Sequence, residues 1–390
     1  MDRAVWRTGG RFGGSWRYSL TERDIDDITL GASPNGIDTG PTEIHEQRLF
    51  LNYTHPLLRN RGGIQDTLPL RLQTQQVEIT TLRSEETAER FFLDATLRFI
   101  DWALQDELLR IAKERLDLAT EQRTHQEKKQ KLNLVEQLDV LRATASETTS
   151  HTTLTLAENA WQTSQSDIAE LTDNPAVLKL RPKHDLYTFD NIPLLNKADI
   201  EKSSRLIRSH QLRLNQLQAE EDASENEIRP FLDLTLQGGL RSGEESFSDA
   251  SDLELPEAAI HLTYRHMLGS RAAKENQQRL RLETQKEKKR SEETRRNLFA
   301  TCYTLHARLT GLKKVLTLNK KQIDILSQQA AEERRLQEQG RNDLIFVIQA
   351  EDQLRNTQLI YAQNAAQFQK LLFQLKAELD QFAIPPDTAE

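Results

Sequence analysis

The sequence predicts a mainly α-helical protein with a small β part, built as a duplicated strand–loop–strand unit followed by long coiled-coil helices. Three observations lead to this prediction: a long heptad seam, alternating segments ahead of each helical region, and a recurrence of the whole series. The composition agrees. With 37% hydrophobic and 29% charged residues, the chain suits long amphipathic helices with narrow apolar seams better than one large globular core.

The clearest element is the segment from Leu298 to Ala330, whose core positions recur in alternating steps of four and three residues. This is the spacing of a heptad seam, and it predicts a long helix in a coiled coil. Because Ser270 to Asn297 contains neither proline nor glycine, the same helix can begin near Ser270. The seam positions are Leu298, Cys302, Leu305, Leu309, Leu312, Leu316, the polar break Asn319, Ile323, Leu326 and Ala330.

Two alternating segments open the chain. Arg11–Leu20 and Glu46–Leu57 each place apolar residues at every second position, which predicts half-apolar strands. The acidic stretch Thr21–His45 between them contains turn residues and is predicted to be a loop. We therefore expect a first β-hairpin at residues 11–57, preceded by an N-terminal remnant at residues 1–10.

Helical spacing begins near Leu68 and continues to a predicted hairpin tip near Asn133. The return helix should end at Thr172–Pro175, and a further helix should follow from about Ala198 to Ile228. These elements make up a first helical repeat at residues 64–228. The apolar positions that carry the spacing are Leu93, Leu97, Ile100, Leu104, Leu108, Ile111 and Leu118.

The same series then recurs. Pro230–Leu240 and Ala258–His266 alternate on either side of a second acidic loop, which predicts a second hairpin at residues 229–266. The long seam follows as a second helical repeat at residues 270–382, with a tip near Gly340, and Pro385-Pro386 should stop its return helix before a tail at 383–390. The return helix carries Tyr361, Ala365, Phe368, Leu372, Leu375 and Leu379.

Residue matches support a duplication of the chain. Tyr53–Leu58 matches Tyr264–Leu268 with one deletion, and Val135–Ala143 matches Asn342–Ala350. The similar offsets of these two landmarks indicate two copies of one unit.

The four predicted strands have the length of a tilted membrane strand. Four strands cannot close a barrel within one chain, and open edges are not tolerated in lipid. Strands in a membrane would therefore have to close by oligomerisation, and three chains would give a barrel of about twelve strands. Candidates for interfacial aromatic residues are Trp16, Tyr18, Tyr53 and Tyr264. The alternative is a pair of soluble hairpins packed on the coiled coil.

The residue pattern argues against several classes of protein. The net charge is −8 and basic runs adjoin acidic ones, which disfavours a nucleic-acid partner. We find no P-loop, dinucleotide turn, nucleophile elbow or metal-ligand spacing of histidines, so we expect no enzyme activity, cofactor or metal. The one cysteine, Cys302, lies on the seam and is expected to be buried. No apolar run reaches the length of a transmembrane helix.

Taken together, these residues resemble the TolC-like outer-membrane efflux proteins over Arg11 to Phe382. The resemblance rests on the duplicated order of strands and helices, on Pro56-Leu57 with Gly62 between strand and helix, and on the tips. Gly340, Asp343, Val347, Ile348 and Ala350 fit the family's tip pattern in the second copy, and Leu138, Asp139, Val140, Leu141 and Ala143 fit it in the first.

The resemblance implies a homotrimer in the outer membrane of a Gram-negative bacterium, with a twelve-stranded barrel continued by a periplasmic α-helical tunnel. It implies a passive exit duct of a tripartite efflux or type I secretion system. A periplasmic adaptor and an inner-membrane pump would meet the tips. The residues implied for adaptor docking are Leu132, Asn133, Leu134, Gln339, Gly340 and Arg341.

Two departures from the family pattern stand out. Family members can narrow the tunnel with aspartate rings after the second tip, where this chain has Phe346 and Gln349. Asp139 of the first copy can supply one acidic ring or be an ordinary surface residue, so Asp139, Phe346 and Gln349 are the candidates for the pore lining. The family also has a signal peptide and a further helix before the first strand. Their absence here predicts a misassigned start or a truncation.

A soluble coiled-coil scaffold or tether is the main alternative function. It explains the long helices and the missing signal peptide. It does not explain two alternating hairpins with acidic loops at matching positions of a duplicated unit.

Overall fold

The computed structural model describes residues 2–22, 43–244, 246–248 and 252–382. Within these residues the α-helices are α1 (Ile64–Lys131), α2 (Gln137–Leu171), α3 (Lys197–Ser203), α4 (Arg205–Ile228), α5 (Arg271–Glu338) and α6 (Leu344–Glu378). The strands in the same residues are β1 (Asp2–Val5), β2 (Gly10–Glu22), β3 (Glu43–Pro56), β4 (Phe231–Glu244) and β5 (Leu255–Arg265). The predicted fold class, mainly α with a small β part, is confirmed. None of the described helices has an apolar stretch long enough to cross a membrane.

The strands form one antiparallel sheet in the order β1-β2-β3-β4-β5. β3 pairs with β4, so the hairpins of the two sequence halves lie side by side in that sheet. Four of these strands are predicted by the sequence. β1 is a correction, because it lies in the segment expected to be a remnant. Four residues are too few to show the alternation by which the other strands are recognised.

The turn after β1 packs closely against the junction between β3 and α1. Gly9 and Gly63 both have positive φ angles, of 72° and 66°. A Cβ atom on Gly63 would lie 1.8 Å from the carbonyl oxygen of Trp6, so a larger residue is excluded there. The helix α1 begins directly after this close approach, at Ile64, a few residues before the start that its apolar spacing indicates.

The duplication is visible in the lengths and positions of four helices. α1 and α5 both have 68 residues, and α2 and α6 both have 35. Each of these helices in the second half begins 207 positions after its counterpart in the first. Asn133 and Gly340 have positive φ angles at matching positions, and so do Asp173 and Asp380.

The chain divides into two compact units, Met1–Thr81 with Arg208–Glu292, and Leu82–Ile207 with Glu293–Glu390. Each unit combines segments of both repeats, so this division crosses the repeat boundaries that the sequence suggests. Most of the first acidic loop, part of the second loop (residues 245 and 249–251), Pro385-Pro386 and the tail lie outside the described residues.

The hydrophobic core of the second unit is the predicted seam. Seven of the ten seam positions are buried, and Leu312, Asn319 and Ile323 are half-buried. Opposite them, α6 buries Ala365, Phe368, Leu372 and Leu375 in the same cluster. Cys302 has no exposed surface, which confirms its predicted burial.

The helix predicted from Ala198 to Ile228 is in fact two helices. Ser204 adopts an extended conformation and separates α3 from α4. The Asn196 side chain accepts a hydrogen bond from the backbone N–H of Ala198 and caps α3. Because the interruption is a single residue within an otherwise helical pattern, apolar spacing alone gives no sign of it.

Candidate docking and channel surfaces

The first helical tip joins α1 to α2 through residues 132–136. The backbone N–H of Asn133 donates to the carbonyl oxygen of Gln130 over 2.8 Å, and that of Leu134 donates to Lys129 over 2.9 Å. With Asn133 in the left-handed conformation at φ 59°, these two bonds form a Schellman motif. The turn therefore uses its backbone groups to end α1 and leaves the side chains of the tip free of that task.

The second tip, residues 339–343, repeats this geometry. Gly340 donates to the carbonyl oxygen of Gln337 over 3.1 Å and Arg341 donates to that of Leu336 over 2.9 Å. Gly340 has φ 70° and a Cβ added to it would meet no atom within 4 Å. The backbone conformation, and not crowding, therefore favours glycine at this position.

The six predicted docking residues are all exposed and belong to these two turns. At the first tip, Leu132 is 69% exposed and Leu134 is 68% exposed. Two leucines held in water by a short turn form an apolar contact point that the fold of the chain does not use. The second tip offers polar side chains instead, Gln339 and Arg341.

The three pore candidates follow the tips at equivalent places in α2 and α6. The Asp139 carboxylate is half-buried and lies 3.5 Å from the guanidinium of Arg142 in the next turn. In the second copy, Phe346 occupies the position equivalent to Asp139 and Gln349 the position equivalent to Arg142, and both are exposed. The neighbouring residues Val347 and Ala350 are buried, so Phe346 and Gln349 lie on the unpacked side of α6.

The sheet has one continuous apolar face. Residues paired across antiparallel strands project from the same face, and the pairings place the apolar positions of all four long strands together. Among the large apolar side chains, Trp16 is 63% exposed and Ile260 is 75% exposed. The face comprises Phe12, Trp16, Tyr18, Leu20, Leu49, Leu51, Tyr53, Leu232, Leu234, Leu236, Leu240, Ala258, Ile260, Leu262 and Tyr264.

Polar partners lie at one end of this apolar face. The Trp16 indole N–H donates to the side-chain oxygen of Gln47 over 3.3 Å. The Tyr18 hydroxyl is hydrogen-bonded to His45 Nδ1 at 2.7 Å. Aromatic rings with one polar atom satisfied at the rim of an apolar band are typical of a membrane–water interface.

A cluster of acids in the second unit surrounds Arg205 at the start of α4. Single oxygen atoms of Glu86, Glu89 and Asp380 lie within 4.8 Å of one another. The Arg205 guanidinium contacts Glu89 and lies 2.7 Å from Asp380, and the Arg205 backbone N–H donates to Asp380 over 2.9 Å. Arg205 therefore supplies the positive charge that this cluster needs, and we assign no metal to it.

Nearby, Glu378 lies beside a cavity of about 380 Å³ that Glu86 and Glu89 also line. Burial raises the pKa of Glu378 above its usual range, and the charge of Glu86 raises it further. No sequence pattern indicates this cluster, because its members come from three segments, around residues 86, 205 and 380, that lie more than a hundred residues apart along the chain.

Comparison with known proteins finds matches among solved structures and none among family profiles or curated sequences. The outer-membrane channel OprN has a TM-score of 0.66 and 14% identity, over 94% of this chain and 81% of that chain. The Campylobacter jejuni CmeC outer membrane channel has a TM-score of 0.65 and 12% identity, over 96% and 78%. The open state of the Neisseria gonorrhoeae MtrE outer membrane channel has a TM-score of 0.65 and 13% identity, over 95% and 80%.

At these identities the likeness is one of fold. The chain has the fold of the TolC-like outer-membrane channels over nearly its whole length, and the resemblance predicted from the sequence is confirmed at that level.

Proposed function

We propose that this protein is an outer-membrane channel that conducts solutes passively, as the exit duct of an efflux or secretion system. The observation that carries the proposal is the exposed apolar face of the sheet, on a chain that has the fold of such channels. An apolar face of this extent is costly in water and is favourable against lipid. It therefore counts against the soluble scaffold.

Closure of the sheet requires further copies of the chain. Within the described residues, β5 has β4 as its one partner strand, and β1 pairs with only four residues of β2, from Gly10 to Gly13. β5 runs antiparallel to β2, because three antiparallel pairings separate the two strands in the sheet. The free edge of β5 can therefore pair with β2 of another copy, and a trimer gives the twelve long strands of a closed barrel.

The tips are the proposed contact with a periplasmic adaptor. The exposed Leu132 and Leu134 would enter an apolar groove on the adaptor, and Asn133, Gln339, Gly340 and Arg341 would supply the polar rim. Conduction through a duct needs no catalytic group, since the energy would be supplied by an inner-membrane pump.

The pore residues complete the proposal. Asp139 would contribute one carboxylate from each copy to a ring at the inner end of the channel, and Phe346 and Gln349 would line the same level from α6. Since the second copy has no acid there, this ring would attract cations less strongly than a double aspartate ring.

The test uses the native protein, recovered from the envelope of its own cells. We expect it in the outer-membrane fraction, as a species whose intact mass is three times that of one chain, and we expect stepwise conductance after transfer to planar bilayers. A monomer confined to the soluble fraction, with no conductance, would refute the channel and support a scaffold.

A further inference from the structure

A row of three arginines crosses the polar face of the sheet. Arg17 on β2 pairs with Arg48 on β3, and Arg48 pairs with Arg241 on β4. Directly opposite residues of antiparallel strands have Cα atoms about 5 Å apart. The three cationic side chains therefore project from neighbouring positions on one face of the sheet. Like charges in this arrangement destabilise a sheet.

Among the described residues, one acid forms an ion pair with this row. Glu46, two positions before Arg48 and on the same face, accepts a hydrogen bond from the Nε of Arg48 over 2.6 Å. Arg17 and Arg241 are exposed and form no ion pair with any residue in the part of the chain that the structure describes. The row thus carries a net positive charge in a chain whose net charge is −8.

The position of the row follows from the two faces of the sheet. Trp16, Leu49 and Leu240 adjoin the three arginines along their strands and project from the apolar face. If that face meets lipid, the arginines must project into the interior of the barrel, where water solvates their charge. On the lipid side each would cost several kcal/mol, on the order of 2–4 near the bilayer midplane.

We propose that Arg17, Arg48 and Arg241 form an anion-binding ring inside the barrel, to which each of three copies contributes one row. The proposal rests on the proposed channel function and adds a substrate class to it. Guanidinium groups bind carboxylates and phosphates through paired N–H donors. The solutes favoured by this ring are therefore small molecules that carry carboxylate or phosphate groups.

The two arginines without a partner allow a test that leaves the Arg48–Glu46 ion pair in place. The full chain and the variant R17Q/R241Q are reconstituted in planar bilayers, and the reversal potential is measured under a KCl gradient. Removal of two positive charges from each copy should lower the ratio of chloride to potassium permeability by about threefold or more. The matched control, R17K/R241K, keeps the charge and should retain the ratio of the unaltered protein.

A second measurement addresses binding itself. Inorganic phosphate should raise the melting temperature of the detergent-solubilised protein more than potassium chloride of equal ionic strength does, and this difference should disappear in R17Q/R241Q. Equal permeability ratios in R17Q/R241Q and the unaltered protein, in channels that conduct, would overturn the anion ring alone. An unaltered protein that forms no channel would overturn the proposed function and the ring together.

Discussion

The side-chain amide of Asn364 on α6 donates a hydrogen bond to the side-chain oxygen of Asn319 on α5 over 3.0 Å. Asn319 is the one polar position of the heptad seam, and its partner lies on the return helix of the same repeat. A polar pair in an apolar seam is satisfied in a single alignment of the two helices, because a shift by one turn separates the two amides and places them beside apolar seam residues such as Leu316 or Phe368. The pair therefore specifies the register of α5 against α6.

Substitutions of this pair should be strongly non-additive. We expect Asn319→Ala and Asn364→Ala each to destabilise the protein by about 1–2 kcal/mol, since each leaves the other amide without its partner. The double variant should cost less than the sum of the two. Thermal unfolding of the four proteins, followed by circular dichroism in detergent, measures the coupling. Additive losses would show that the two amides act independently.

Arg205→Met should be among the most damaging substitutions in the helical part. The carboxylate of Glu89, whose side chain is almost fully buried, would lose its cation, and a broken buried ion pair costs about 3–5 kcal/mol.

The control for Arg205 is Arg295→Met. Arg295 faces Glu201 at 3.8 Å with both side chains exposed, and such a pair contributes about 0–1 kcal/mol. Melting temperatures of the two variants, compared at neutral pH, separate the buried cluster from a surface pair. Equal losses in both would contradict the role assigned to Arg205.

The helices and the four long strands could be predicted because each carries its own periodicity. The seam from Leu298 to Ala330 and the alternation of Arg11–Leu20 are local patterns, and burial in the structure follows them. β1 is too short to show a period. The break at Ser204 depends on backbone conformation, which apolar spacing does not report.

The sites were less predictable, for a physical reason. The row of Arg17, Arg48 and Arg241 exists only once the register of three strands is known, and the Arg205 cluster joins residues distant in sequence. The tips were located at the right turns, because glycine and asparagine mark left-handed positions and the two copies confirm one another. Their role in docking stays a prediction.

The Cys302 thiol should be inert in the folded protein. Burial raises its pKa to about 11, from an ordinary value near 9. Because the neutral thiol is the favoured form in the folded state, its contribution to stability is complete below the ordinary pKa and is lost as the pH rises through about 11. At pH 8, a chromogenic disulfide reagent should react slowly with the native protein and fast after denaturation.

A matched cysteine on the same helix provides the comparison for this reaction. Ser327 is exposed on α5, so the variant Cys302→Ala/Ser327→Cys should react at once under native conditions. Rapid labelling of native Cys302 would mean that α5 and α6 separate readily at this level.

Trp16 should contact lipid. It projects from the apolar face of the sheet, so brominated phospholipids should quench the fluorescence of the reconstituted protein, and Trp16→Phe should remove much of that quenching. Trp102 is buried in the helical part, and Trp102→Phe should leave the quenching by lipid nearly unchanged. The same loss in both variants would argue against insertion of the sheet face in the bilayer.

The leucines of the first tip should matter for partner binding and not for stability. Leu132→Ser/Leu134→Ser removes two side chains that are already in water. The free energy of unfolding, followed by the melting temperature, should therefore change by no more than about 0.5 kcal/mol. Retention of the adaptor during purification from native membranes should fall, because the apolar contact is lost. Leu194, 94% exposed outside the tips, supplies the control: Leu194→Ser removes a comparable apolar surface and should leave adaptor retention intact. If both variants retain the adaptor as well as the unaltered protein does, docking must use a surface other than the first tip.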